Sequence, residues 1–302
     1  MKIITNNDLP FENGCVMAIG VFDGVHVGHA SLLAKAKAES LAENVPLIVF
    51  TFAETPKNEY SKMLSTQSEK LSLLEKCGAD GVYTADFAAY RDMTPEVFAE
   101  SVLVGRFNAK SVVCGYDFMF GAGRQGNAET LKTLLEKHGR TVTVFPPVTV
   151  GGEVVSSTLI RKYVADGDME KASLLLGYDY SFTIPVENGR HIGRTLGFPT
   201  VNQRFPDGFP VPSFGVYACR CEIDGVVFNG VADVGVKPTV AENGDTVCET
   251  HVFGDVGELY GKKIKTTLLK KIRDEKKFAS LSELGDAIAK DVEDVKEYFA
   301  RG

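Results

Sequence analysis

Apolar and polar positions alternate along this chain in two different rhythms. Up to about residue 150, short apolar runs (CVMAIGVF, PLIVFTF, DGVYTAD, AKSVVCGY, TVTVFPPV) take turns with amphipathic stretches such as HASLLAKAKAESLAEN, SEKLSLLEKCG, TPEVFAESVLVGRF and NAETLKTLLEKHG. Strand-length apolar runs between helix-length amphipathic ones predict a parallel sheet with helical crossovers. The first run is apolar almost throughout, as expected of a strand whose sheet is covered by helices on both faces. SSTLIRKYVADGDMEKASLLLG predicts a helical close to this half. Beyond Gly177 the texture changes to short strands broken by Gly, Pro, Asp and Asn, among them GVYACRCEIDGVVFNGVADVG, TVCETHVFG and KKIKTTLLKKIR, the spacing of a small antiparallel barrel. SLSELGDAIAKDVEDVKEYFA opens on an N-capping serine and keeps apolar residues at helical spacing, which predicts a helix packed on that barrel. The expected fold class is α/β, with a doubly wound sheet domain over residues 1–180 and an antiparallel β-barrel domain with a terminal helix over 181–302. No internal repeat is visible.

A length of 302 residues suits two domains that each bury a core, and 44% hydrophobic with 24% charged residues is an ordinary globular composition. The opening MKIITNNDLPFENG lacks the basic-then-apolar order of a signal peptide, and no apolar run approaches the ~18 residues of a membrane span. A cytoplasmic protein with no membrane partner is expected. Six scattered cysteines without a C-x-x-C pair suggest buried thiols in a reducing compartment, not a zinc ribbon or a disulfide framework. The net charge of −7 argues against a nucleic-acid binder, whose phosphate-tracking surface needs excess Lys and Arg. Small phosphate ligands need only a local pocket and stay in play.

Two of the chain's five histidines, His26 and His29, stand in GVFDGVHVGH, Gly20–His29. With a strand ending near Phe22 and a helix starting near His29, the pair lies at the C-terminal sheet edge, where ligands of open α/β sheets bind. Backbone N–H groups there favour an anion, and Gly24 and Gly28 allow close approach to it. Two imidazoles beside a phosphate could stabilise charge developing on it during nucleotidyl transfer. A structural pair in a turn is the bland alternative; zinc would lack ligands at this spacing. GAGRQG, Gly121–Gly126, satisfies the dinucleotide pattern G-x-G-x-x-G. However, it falls in the fourth strand–helix unit, and TVTVFPPV ends without the acidic residue that would hold a ribose. VSSTLIR, Val155–Arg161, places Ser156, Ser157 and Thr158 at a helix start with Arg161 at the next turn. These are either caps alone or a grip on the β- and γ-phosphates of ATP.

Taken together, the G-x-F-D-G-V-H-x-G-H and S-S-T-x-I-R motifs and the segment GYDFMFGAGRQG resemble the bacterial bifunctional riboflavin kinase/FAD synthetases. That likeness makes the first half a Rossmann-like nucleotidyltransferase (FMN adenylyltransferase) and absorbs the G-x-G-x-x-G segment. It implies an ATP site of Gly20, Phe22, Asp23, Gly24, His26, His29, Asp117, Ser156, Ser157, Thr158 and Arg161, with His26, His29 and Arg161 catalytic. In the second half, GRTLGFPTVN (Gly193–Asn202), CETHVF and LYGKKIKTTLLKKIRDEKKF resemble the kinase, and Arg273, Glu275 and Phe278 fall in its closing pattern. The likeness implies ATP and flavin contacts from Gly193, Gly197, Pro199, Thr200, Asn202, Arg273 and Phe278. It also implies Mg²⁺ on Thr200 and Asn202, and Glu249 as the base on the ribityl hydroxyl. Hard oxygen donors suit Mg²⁺, which takes few protein ligands.

The resemblance covers nearly the whole chain and implies riboflavin, FMN and ATP as small-molecule partners; self-association is not legible. Two departures stand out. Where the family reads T-F-x-P-H-P, this chain has TFAETPKN, with Glu54 for the first proline and Thr55 for the histidine, at a flavin contact of the synthetase half. Ile184 and Pro185 stand where a glycine is common before the kinase loop. The expected activity is phosphorylation of riboflavin to FMN, then adenylylation of FMN to FAD with release of pyrophosphate. The rivals are a single-activity enzyme with one degenerate half, and a flavin sensor that consumes no ATP.

Overall fold

The computed structural model describes residues 1–52, 63–189, 196–236 and 245–301. Two compact units divide the chain, with the break between Ser157 and Thr158.

The first unit is built on β1 (Lys2–Ile4), β2 (Cys15–Ile19), β3 (Leu47–Phe52), β4 (Gly81–Ala85), β5 (Ala109–Gly115) and β8 (Thr141–Phe145). They form one sheet in the order β1-β4-β3-β2-β5-β8, parallel throughout. The order reverses direction between β2 and β5, which makes the carboxyl ends of those two strands the switch point where an open sheet offers a crevice. Every residue of β2 is buried, with its alternate side chains divided between two cores. Val16 and Ala18 meet Leu32, Leu33 and Ala36 of α1 (Val27–Ala42) and Leu74 of α2 (Gln67–Lys76). Met17 and Ile19 meet Phe98, Val102 and Leu103 of a π-helical stretch, Phe98–Arg106, and Leu131 and Leu135 of the helix Ala128–Glu136. Helices thus cover both faces, and the sheet is doubly wound. The edge strand β1 is too short to have carried a periodic signal. The apolar run expected to end near Phe22 leaves the sheet at Ile19, and α1 starts two residues before His29.

GAGRQG is a hairpin turn. β6 (Met119–Phe120) pairs antiparallel with β7 (Gly126–Asn127), and the residues between turn through left-handed Gly121, Gly123 and Arg124; a second short hairpin pairs β9 (Thr149–Val150) with β10 (Glu153–Val154). A Cβ on Gly121 would press on the Pro95 ring at 2.9 Å, so this glycine serves packing.

In the second unit the single helical segment expected before the barrel is two helices, Ser157–Asp166 and Met169–Leu176. Gly167 breaks them at φ 80°, and Asp168 caps the second. Six strands follow: β11 (Ser181–Glu187), β12 (Val201–Arg204), β13 (Gly215–Ile223), β14 (Val226–Val236), β15 (Thr246–Val252) and β16 (Lys263–Asp274). They close into an antiparallel barrel in the order β11-β12-β15-β14-β13-β16. Closure removes the unpaired edges that an open sheet of short strands would expose. Asp224 and Gly225, both at positive φ, make the tight β13–β14 hairpin. Ile184 and Pro185, the departure from the family pattern, sit in β11 with pairing to β16 continuous through both. The helix Leu281–Arg301 lays Val292 and Val295 on Val216, Ala218 and Val231 of the barrel wall.

Candidate active sites

In the first unit the chain leaving β2 makes a strained turn. Phe22 and Val25 hold left-handed conformations at φ 52° and 38°, with Gly24 between them at 72°. Such conformations cost a Phe or a Val about 1–3 kcal/mol each and persist only where surroundings enforce them. Here the Val21 carbonyl accepts from Thr51 Oγ1 at 2.8 Å, and the Asp23 carbonyl from Ser157 Oγ at 3.0 Å.

The turn delivers His26 to the N-cap of α1, where its Nδ1 accepts from the His29 N–H at 3.3 Å. An Nδ1 that accepts leaves the proton of a neutral ring on Nε2. His29, one turn along, stacks on His26 with ring centroids 3.6 Å apart, and the edge of Phe22 meets it at 5.2 Å. Gly28 makes room, since a Cβ there would lie 3.2 Å from the His26 ring. Burial, then the neighbouring His26 and Lys70, hold His29 well below the ordinary histidine range. A neutral ring still carries one N–H, and the Nδ1 of His29 is buried with no hydrogen-bond partner among the described residues.

Across the switch point, Asp117 follows β5 in a turn closed by Phe118 N–H on the Gly115 carbonyl, 3.1 Å. Ser156 immediately precedes the helix that Ser157 opens; that helix carries Thr158 and, a turn later, Arg161, whose Nη2 donates to Thr158 Oγ1 at 3.3 Å. One residue that sequence reasoning missed belongs to the first group. Lys70 of α2 is wholly buried, and its Nζ donates to the Phe52 carbonyl at 2.6 Å and reaches that of Val21 at 3.5 Å. Burial lowers its pKa to about 8, opposed by the charge of Asp23.

The barrel brings its candidates together through strand register. Asn202 stands opposite Glu249, and Glu249 opposite Asp233, one row across β12, β15 and β14. Asn202 is 6% exposed, and its Oδ1 has no hydrogen-bond partner among the described residues. Thr200 lies just before β12, and His251 Nδ1 donates to the Pro199 carbonyl at 2.9 Å, tying that segment to the strand of Glu249. Gly197 turns the chain at φ 86°. Gly193, like Glu54 and Thr55, lies outside the described residues. Asp233 was not foreseen: burial of its carboxyl pushes it up to about 6 against the Arg273 guanidinium, with Glu275, Glu249 and Asp291 adding to the rise. Arg273 is engaged elsewhere. Its Nε and Nη2 donate to the two carboxylate oxygens of Asp291 at 2.8 and 2.7 Å, and its guanidinium lies 5.8 Å from the Phe278 ring. Among the described residues no cluster of three or more His, Cys, Asp or Glu could hold a metal ion, and no helix is long and apolar enough to cross a membrane.

Comparison with known proteins agrees with this division. The FAD synthetase family model matches residues 9–159 and the riboflavin kinase model residues 176–299. The bifunctional riboflavin kinase/FMN adenylyltransferase of Bacillus subtilis (strain 168) is 34% identical over 295 residues, covering 94% of this chain and 92% of that protein. Its namesake from Escherichia coli (strain K12) is 36% identical over 297 residues, with 95% and 94% covered. A crystal structure described as a macrolide-efflux protein from Streptococcus pneumoniae shares the fold at a TM-score of 0.87 and 30% identity, covering 98% of this chain and 99% of that one. With both family models matched in order and relatives aligned almost end to end, the chain belongs to the bifunctional riboflavin kinase/FMN adenylyltransferase family.

Proposed function

We propose that residues 1–180 carry the adenylylation and residues 181–302 the phosphorylation, and that the stacked His26–His29 pair at the switch point of the sheet acts in the first. A phosphate oxygen of FMN attacks the α-phosphorus of ATP, and pyrophosphate leaves. The pair supplies N–H donors pre-set by the turn and the helix start, so stabilising the developing charge needs no reorganisation. Ser156, Ser157, Thr158 and Arg161 take the β- and γ-phosphates, the arginine with paired donors. Gly20, Phe22, Asp23, Gly24 and Asp117 shape the nucleotide pocket.

In the barrel, Glu249 takes the proton of the riboflavin 5′-hydroxyl as the γ-phosphoryl group of ATP is transferred. Gly193, Gly197, Pro199, Arg273 and Phe278 are assigned to the ATP and flavin contacts, with Arg273 also tied to Asp291. The unpartnered buried oxygen of Asn202 and the hydroxyl of Thr200 are hard donors that fit Mg²⁺. Bound there, Mg²⁺ would neutralise charge on the transferred group. A cytoplasmic enzyme acting on riboflavin, FMN and ATP is part of this reading.

The test is one chromatographic assay with riboflavin, ATP and Mg²⁺. FMN should appear first and FAD after it; FMN alone would mark a degenerate first half, and bound flavin with ATP unconsumed would mark a sensor.

A further inference from the structure

We propose that Lys70 is a positioning residue for FMN adenylylation, holding the turn that carries the histidine pair. Its place is set by α2, which begins in a capping box between Thr66 and Glu69, so that the next residue enters the unit's interior. There the ammonium bridges two carbonyls that belong to different strand ends. One is Phe52, the last residue of β3, at 2.6 Å; the other is Val21, which opens the strained turn, at 3.5 Å. Thr51 Oγ1 donates to the same Val21 carbonyl at 2.8 Å. The left-handed Phe22 and Val25 thus follow directly on a carbonyl gripped by two side chains from the neighbouring strand and helix.

The charge itself points the same way. An apolar side chain would fill this wholly buried slot without the desolvation cost of an ammonium, and a pure packing role would favour it. The cation lies where Asp23 attracts it and where, after burial and His26, it adds to what holds His29 below the ordinary histidine range. Lys70 therefore acts on the pair chiefly through the backbone of the turn, and secondarily through its charge.

This inference rests on the reading of His29 as an adenylylation residue, and His29→Ala is measured beside it to keep the two apart. The experiment uses the full chain and follows FMN adenylylation and riboflavin phosphorylation in one preparation. Lys70→Met should lower kcat for adenylylation by about 10- to 100-fold, the scale of misplacing a reacting group by about an ångström. KM for ATP should change less, and phosphorylation should stay near wild type. Removing the positive charge should also move the acid limb of the adenylylation profile to higher pH. Thr51→Val, which removes the other grip on Val21 and keeps the charge, should lower kcat in the same direction by less and leave the limb in place. It also keeps the test decisive if Lys70→Met fails to fold. Adenylylation within threefold of wild type in both variants, while His29→Ala has lost it, overturns the role of Lys70. Full activity in His29→Ala overturns the reading beneath it.

Discussion

The Arg273–Asp291 pair joins the terminal helix to the barrel, and removing its carboxylate has a calculable cost. Asp291→Ala deletes two hydrogen bonds of 2.8 and 2.7 Å, both between charged groups. Such bonds contribute about 1.5–3 kcal/mol each, and breaking a buried pair from one side costs about 3–5 kcal/mol because the other charge is stranded. The Asp291 side chain is 6% exposed, but that of Arg273 is 28% exposed and keeps its bond to the Asp274 carbonyl. Water can therefore recover part of the loss, and the low end, about 3 kcal/mol, is expected. At roughly 2–4 °C per kcal/mol for a unit of this size, the barrel transition should fall by about 6–12 °C. Thermal melting and urea titration of the full chain, both read by circular dichroism, measure the shift and the free-energy loss. Arg273→Met in the Asp291→Ala background should recover stability by removing the stranded cation. A loss below 1 kcal/mol, or a double variant no more stable than Asp291→Ala, would refute the assignment of the pair as the clamp on the helix.

His29→Ala should slow FAD formation from FMN by about 100-fold or more while leaving FMN formation near wild type, in the same paired assay. Because the folded pKa of His29 lies below its unfolded value, adenylylation should hold down to pH values below the ordinary histidine range. The same difference makes the His29 contribution to stability complete above about pH 6.5 and lost as pH falls, which urea midpoints from pH 8 to 5 compare against His29→Ala. Glu249→Gln should lower kinase kcat by roughly 10²–10⁴-fold with little change in riboflavin binding, and FAD synthesis from supplied FMN should continue; kcat within threefold of wild type excludes it as the base. A fragment from Ser181 should make FMN but no FAD, and one from Thr158, which retains Met169, Leu175 and Leu176 buried in the second unit, should be the more stable by thermal melt.

Much of the fold was legible because each sheet strand and crossover helix has a period that burial imposes on it. CVMAIGVF reads as a strand covered on both faces, and its first five residues are one; the Asp224–Gly225 hairpin and the capped terminal helix are local events written in local residues. His26, His29 and the Ser156–Arg161 stretch were also visible as motifs, since each is contiguous in the chain. Lys70 and Asp233 were not. In SEKLSLLEKCG a lysine among polar neighbours reads as solvated, and only the packing of α2 against the ends of β2 and β3 turns it inward. Asp233 gains its neighbours from barrel register, which pairs it with Glu249 from a strand that follows in sequence but lies beside it in space. Arg273 was legible as a residue type, but its partner on the terminal helix was not. A motif can be read where its chemistry is held by residues adjacent in the chain; where a charge is set by what closure and crossover bring beside it, only the tertiary structure decides its role.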